Sequence, residues 1–128
     1  MSAPQVELFT AADYRSIPED GKRYQLIEGD IIIAPAPNTY HQLVQINLVR
    51  ILSTYLLRHP IGTLLCSPCD VYLDDLNVYQ PDVLYVAREH AARVHEDGVH
   101  GAPDLVIEIL SPSTAALVQC SGHAGTRA

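Results

Sequence analysis

Positive charge is scarce in this chain of 128 residues. Lys22 is its single lysine, and eight basic residues are outnumbered by fifteen acidic ones, which gives a formal net charge of -7. A surface that holds nucleic acid by electrostatics alone needs clustered Lys and Arg, so the composition argues against such a surface. It does not exclude an enzyme that acts on phosphates through a bound metal, because acidic sites attract phosphate once cations are loaded.

The sequence also lacks a long apolar run. No stretch is long and apolar enough to cross a bilayer, and the first twenty residues have neither the basic flank nor the continuous apolar segment of a secretory signal. We therefore expect a single globular domain that resides in the cytoplasm and has no membrane partner.

Cysteines are few, and their number is odd. Cys66, Cys69 and Cys120 do not suggest a disulfide framework in a cytosolic protein. Cys66 and Cys69 form a C-x-x-C, which is half of a zinc site or a redox pair. No second half follows to complete a tetrahedral site, and the apolar residues before Cys66 indicate a strand, so we favour small buried side chains.

Hydrophobic periodicity and turn residues divide the chain into helices and strands. Gly, Pro and Asp separate the segments, and the run 104–110 is apolar except for one acid, as expected of a central strand covered on both faces. The alternation of helices and strands predicts an α/β layered fold. The predicted helices are 10–17, 38–58 and 88–94; the predicted strands are 24–27, 30–34, 63–66, 70–73, 78–86 and 104–110.

The helix 38–58 is the clearest of these elements. Asn38 or Thr39 can cap its first turn. Apolar residues recur at helical spacing and predict the face that packs on the sheet. They are Val44, Leu48, Ile51, Leu52 and Tyr55.

Two acids occupy positions where a charge is costly. Glu108 interrupts the most hydrophobic strand, and Asp82 follows Pro81 at the start of another apolar strand. A carboxylate in such a place needs a proton, an opposite charge or a cation. If the two strands are neighbours, both carboxylates reach one rim and can hold a divalent metal. Glu28, at the tip of the predicted hairpin, is a third candidate.

Each acid has a structural alternative. Glu108 can pair with an arginine such as Arg50, Asp82 can cap a turn, and Glu28 can be an ordinary acid of a solvent-exposed turn. The sequence pattern leaves these alternatives open.

Four separated segments together resemble the Uma2 family, a group of restriction endonuclease-like proteins in the PD-(D/E)xK nuclease superfamily. They are GKRYQLIEGD, PAPNTYHQ, YQPDVLYV and GAPDLVIEILSPST, and the resemblance extends from about residue 9 to residue 114. It implies an α/β (α+β) domain with a mixed sheet flanked by helices. It also implies homodimers and nucleic acid as the substrate.

The resemblance further implies a site for Mg²⁺ or Mn²⁺. Asp82 and Glu108 would be metal ligands beside the carbonyl of Ile109, and Glu28 would complete the acidic cluster. His41 matches a histidine typical of the family near the start of the helix. The alternative for His41, which we favour, is a core histidine satisfied by a hydrogen bond.

The sequence departs from the family after its last strand. The resemblance implies a following helix with an Asp-Arg pair and then a lysine, which stands in for the catalytic lysine usually placed two residues after the Glu. Leu110 occupies that usual place, and residues 111–125 contain neither Lys nor Arg. We therefore expect an incomplete domain at 1–114 and an unrelated tail at 115–128, produced by an altered reading frame or by natural shortening. We expect weak or no metal-dependent endonuclease activity, because a cation that offsets transition-state charge is missing. The alternative is a catalytically inactive domain that dimerises or binds another protein.

Overall fold

The computed structural model describes residues 7–110. The predicted boundary after residue 114 and the predicted tail lie outside this range. The elements are α1 (Ala11–Arg15), β1 (Arg23–Ile27), β2 (Asp30–Ala34), α2 (Thr39–Arg58), β3 (Gly62–Cys66), β4 (Val71–Asp74), β5 (Asn77–Tyr79), β6 (Val83–Ala87), a 3₁₀ helix (Arg88–Arg93), β7 (Val94–His95), β8 (Gly98–His100) and β9 (Leu105–Ile107).

The first helix is defined by its cap. The Thr10 hydroxyl accepts a hydrogen bond from the Asp13 N–H at 3.3 Å, and the Asp13 carboxylate accepts one from the Thr10 N–H at 2.8 Å. This reciprocal pair satisfies donors that a helix start leaves unpaired. The predicted helix is confirmed, although it is shorter than expected.

Two residues connect β1 to β2 in a tight hairpin. Glu28 has φ 48° and Gly29 has φ 84°, and two positive φ values in a two-residue turn match the twist of the strands on either side. The predicted hairpin is confirmed, with Arg23 opposite Ala34 and Ile27 opposite Asp30.

The strands form two sheets. The larger has the order β2-β1-β5-β4-β8-β7, and the smaller has the order β3-β6-β9. All pairs are antiparallel except β4 with β8, so the expected mixed sheet is confirmed. One apolar cluster centres on Leu26 and Val78 under α1, and a second joins the sheets through Val71, Leu84 and Val99.

The predicted strand 78–86 is wrong as a single element. It divides into β5 in the larger sheet and β6 in the smaller one. Pro81 lies in the connection and has no N–H to donate to a strand pair. The break therefore places Asp82 between the two sheets, immediately before β6.

The last strand is also shorter and differently placed than predicted. β9 ends at Ile107, and in the part of the chain that the structure describes it pairs only with β6, at the edge of the smaller sheet. Leu105 is 36% exposed. The central strand of this sheet is β6, whose Val83, Leu84 and Val86 are each 1% exposed.

α2 begins as predicted, with the Asn38 side chain accepting a hydrogen bond from the His41 N–H. It lies against β3 and β6, but none of its residues is buried. The predicted packing face is wrong for Val44, Ile51 and Tyr55, which are exposed. We call the solvent-facing apolar residues the outer face of α2: Tyr40, Leu43, Val44, Ile46, Ile51, Tyr55 and Leu57. Within residues 7–110, no helix is long and apolar enough to span a membrane.

Candidate metal centre

The two sequence-predicted carboxylates meet between β6 and β9. These strands are antiparallel neighbours with Val83 opposite Ile107. Asp82 precedes β6 and Glu108 follows β9, so the two residues face each other across the pair. The Ile109 N–H donates a hydrogen bond of 2.7 Å to Asp82 Oδ2, which fixes one carboxylate to the backbone of the other strand.

Burial makes it costly for both carboxylates of this pair to be ionised. Asp82 is 6% exposed. The pKa of Glu108 is raised from 4.5 to about 8, first by burial, then by the charge of Asp82 and by a hydrogen bond with it, while Arg23 acts in the opposite direction. Two neighbouring carboxylates removed from water cannot both ionise without compensation. A proton on one carboxylate or a cation bound to both must compensate the negative charge.

The chemistry of the donor set fits a hard divalent cation. Within residues 7–110, no three His, Cys, Asp or Glu side chains form a group able to hold a metal. Mg²⁺, however, is usually bound through one or two carboxylates, with water and substrate phosphates completing its shell. Two opposed carboxylates next to the main chain of Ile109 meet that requirement.

His41 contacts this pair from the first turn of α2. Its Nε2 lies 3.1 Å from Asp82 Oδ1, and its Nδ1 is buried without a hydrogen-bond partner in the described structure. The cap at Asn38 holds this turn in place. The structure thus brings together Asp82, Glu108, Ile109 and His41.

Two further residues at this centre were missed in the sequence. The Gln45 side chain donates hydrogen bonds of 2.9 Å to the Asp82 carbonyl and to Ser67 Oγ. The Ser67 N–H also donates to the Asp82 carbonyl, at 3.1 Å. Gln45 lies one helical turn after His41, and residues four apart share a helix face. That spacing was the available signal for Gln45.

Glu28 is not brought to this centre. It is exposed at the hairpin tip, where its N–H donates to Asn77 Oδ1. Arg23, which acts on Glu108, begins β1, and Glu28 follows the end of the same strand. Five residues of extended chain span roughly 16 Å, so Glu28 lies at the opposite end of β1.

The arginine whose charge acts on Glu108 is not Arg50, the candidate suggested by the sequence. Arg50 Nη2 donates to Asn47 Oδ1 on its own helix. Arg23 instead affects Glu108, although it is distant from Glu108 in sequence. The pairing of Glu108 with Arg50 is therefore wrong.

The two described cysteines do not form the half zinc site or the redox pair considered for the C-x-x-C. Both are free, and Cys66 is exposed, which corrects the prediction that it is buried. Cys69 is partly buried, and burial raises the pKa of its thiol. Neither joins a metal-binding group within residues 7–110.

A groove of about 760 Å³ opens beside the carboxylate pair, between α2 and the loop before β1. Apolar residues of α2, including Leu43 and Val49, form much of one wall. Polar side chains line much of the remainder, together with two cationic residues and one acidic residue: Glu19, Lys22, Arg23, Thr39, Gln42, Gln45, Cys66, Ser67 and Gln80. Gln45 and Ser67 are the residues that hold the Asp82 carbonyl, so the groove adjoins the pair.

Comparison with known proteins agrees with this architecture. The Uma2 family, whose description reads "Putative restriction endonuclease", matches residues 11–119, which include the first residues of the predicted tail. A crystal structure of a "putative nuclease belonging to DUF820 from Anabaena variabilis ATCC 29413" is similar, with a TM-score of 0.67 and 26% sequence identity over 92% of this chain and 70% of that chain. The search of curated proteins finds no match. Because the family match covers most of the sequence, the chain belongs to the Uma2 family.

Proposed function

We propose that this chain is a metal-dependent endonuclease domain that hydrolyses phosphodiester bonds. Its active-site carboxylates are Asp82 and Glu108. The observation that carries the proposal is the placement of these two carboxylates, Asp82 buried and Glu108 partly buried, opposite each other next to neighbouring strands. Membership of the Uma2 family and similarity to a structure named as a nuclease support the reaction class.

Mg²⁺ or Mn²⁺, when bound, would lower the pKa of a water molecule and offset negative charge on the phosphate. Asp82 and Glu108 would hold the ion, with the main-chain carbonyl of Ile109 as a third oxygen donor. His41 is a positioning residue in this scheme, because its Nε2 contact with Asp82 Oδ1 fixes the direction of that carboxylate. Gln45 and Ser67 hold the backbone of Asp82.

We further propose that turnover is weak. Leu110 stands where the motif would carry its lysine, and residues 111–125 contain no Lys or Arg. A preorganised cation near the reacting phosphate contributes strongly to stabilising the transition state, so its loss lowers the rate while leaving metal binding intact.

The test separates metal binding from cleavage. Mn²⁺ should raise the melting temperature of the wild-type chain, because a ligand that binds the folded state stabilises it. Asp82→Ala and Glu108→Gln should abolish that increase, while Glu96→Gln, an exposed acid outside the site, should retain it. A flat Mn²⁺ titration of the wild type would contradict the metal site.

Cleavage is measured on plasmid DNA and on RNA with Mg²⁺ and with Mn²⁺. We expect slow cleavage that Asp82→Ala abolishes, and the preferred polymer identifies the substrate class. Fast cleavage that depends on Asp82 would contradict the proposed impairment. Slow cleavage that Asp82→Ala leaves unchanged would point to a contaminant and contradict the proposed activity.

A second candidate is a catalytically inactive domain that acts by dimerising or by binding another protein. The outer face of α2 favours it, since seven large apolar residues on one helix are solvent-exposed. Exposed apolar surface on this scale is typical of interaction sites. We propose a second copy of the chain as the partner, in line with the homodimers implied by the family.

A further inference from the structure

Arg23 is the cationic side chain that the fold places beside the candidate metal centre. β1 runs antiparallel to β5, with Leu26 opposite Val78, so the start of β1 lies next to the connection that leads to Asp82. The Arg23 Nε–H donates a hydrogen bond of 3.3 Å to Gln80 Oε1. Arg23 also lines the groove beside the carboxylate pair.

Gln80 gives the guanidinium a fixed support. Its side-chain amide donates a hydrogen bond of 2.9 Å to Asp70 Oδ1, and its backbone N–H donates one of 2.9 Å to Gln25 Oε1. Both partners come from neighbouring strands of the larger sheet or their ends. The Oε1 of Gln80 is therefore held in a position from which it orients Arg23.

Arg23 forms no ion pair within residues 7–110. The ion pairs found there join other residues. An arginine held through Nε alone keeps its two terminal nitrogens as donors, in the fork geometry that matches phosphate oxygens.

We propose that Arg23 is a phosphate-binding residue of the candidate active site, in a role separate from that of the lysine missing at Leu110. The inference rests on the proposed function and names the group that Arg23 contacts, a phosphate of a nucleic-acid strand in the groove. Arginine stays protonated in proteins, so Arg23 binds and orients the phosphate and does not exchange a proton.

The test uses two binding measurements, and the proposal requires that Arg23→Gln strengthen one and weaken the other. Mn²⁺ binding to the free chain is measured by calorimetry. Binding of a fluorescein-labelled single-stranded DNA is measured by anisotropy with Ca²⁺ present. Arg23→Gln should bind DNA about tenfold more weakly, because charged hydrogen bonds to phosphate are lost. The same variant should bind Mn²⁺ more tightly, because a repelling cation is removed from beside the carboxylates.

Three further variants complete the design. Arg23→Lys keeps the charge without the fork and should recover part of the DNA affinity. Lys22→Gln removes the neighbouring charge of the same groove and should have a smaller effect on DNA. Arg58→Gln makes the same change of net charge at the far end of α2 and should alter neither measurement.

The outcomes separate the two claims. A wild-type chain that binds no Mn²⁺ overturns the proposed function. If the wild type binds Mn²⁺ but Arg23→Gln leaves DNA affinity unchanged, the role of Arg23 is refuted and the metal site stands. Weakening of both Mn²⁺ and DNA binding by Arg23→Gln would show a structural role and also refutes the proposal.

Discussion

Glu108 is held in an environment that favours its protonated form. Its pKa rises from 4.5 to about 8 because burial and the neighbouring Asp82 both oppose ionisation. Between these two pH values the folded chain binds more protons at this position than the unfolded chain does. The free energy of unfolding contributed by this group therefore falls as the pH rises through that interval.

This sign gives a prediction for the metal-free chain. In EDTA, the wild type should lose stability to urea from about pH 4.5 to about pH 8, and Glu108→Gln should remove most of that loss because glutamine does not ionise. Urea unfolding followed by circular dichroism at several pH values measures the difference. Parallel stability curves for the two chains would contradict the assigned environment of Glu108.

His41 allows a second prediction at the scale of a single residue. Its Nε2 contact orients Asp82, and outer partners of metal ligands typically account for about 10- to 100-fold in metal affinity. We expect His41→Ala to weaken Mn²⁺ binding by that factor and His41→Gln, which retains an Nε2 donor, to restore part of it. Calorimetry measures both, and Asn47→Ala, at an exposed position of the same helix outside the groove, is the control. Equal affinities for His41→Ala and the wild type would remove His41 from the site.

At the scale of elements, the β1–β2 hairpin depends on Gly29 for two separate reasons. Its φ of 84° is unfavourable for residues with a side chain, and an added Cβ would lie 2.8 Å from Leu8 Cδ2. Gly21 has a similar φ of 81° but open space within 4 Å. The two glycines thus separate backbone strain from steric contact.

We expect Gly21→Ala to lower the free energy of unfolding by about 1 kcal/mol, the usual effect of a strained positive φ. Gly29→Ala should lower it by about 2–3 kcal/mol, because Leu8 must also shift. Urea unfolding of both variants measures the difference. Equal losses would mean that Leu8 moves aside freely and that its contact with the turn contributes little.

The sequence predicted those helices and strands whose ends are marked by a capping residue or a turn nearby in the sequence. The cap at Asn38 and the turn at Glu28 and Gly29 defined α2 and the hairpin. The break between β5 and β6 was missed, although Pro81 marked it, because the apolar residues on both sides resemble one continuous strand. The short pair β7 and β8 was missed because strands of two and three residues carry no periodic pattern.

The candidate site divides in the same way. Asp82 and Glu108 stood out because each is an acid at an apolar strand, and their neighbouring strands bring them together. Arg23 and Ser67 carried no local signal, since their relation to the pair depends on sheet pairing and on the path of a loop. The position of Glu28 also depends on sheet pairing, because the pairing of β1 with β5 determines which end of the hairpin approaches Asp82.

At the scale of the whole molecule, α2 is unusual for a helix of 20 residues with no buried side chain. It contacts the smaller sheet on one side and exposes most of its large apolar residues on the other. Leu57 is 84% exposed and Tyr40 is 79% exposed. Apolar area of this kind favours association when a complementary surface is available, and a second copy of the same helix offers one by two-fold symmetry.

We therefore predict that the outer face of α2 forms a homodimer interface. Light scattering after size-exclusion chromatography should give twice the chain mass of 14.0 kDa. Ile51→Glu and Leu57→Glu should give monomers, because a stable interface buries about 800 Å² per partner and excludes an unpaired charge from its centre. Ala92→Glu, an exposed position on the 3₁₀ helix, should remain dimeric. A monomeric wild type, or dimers that survive both substitutions on α2, would show that copies of the chain do not meet at this face.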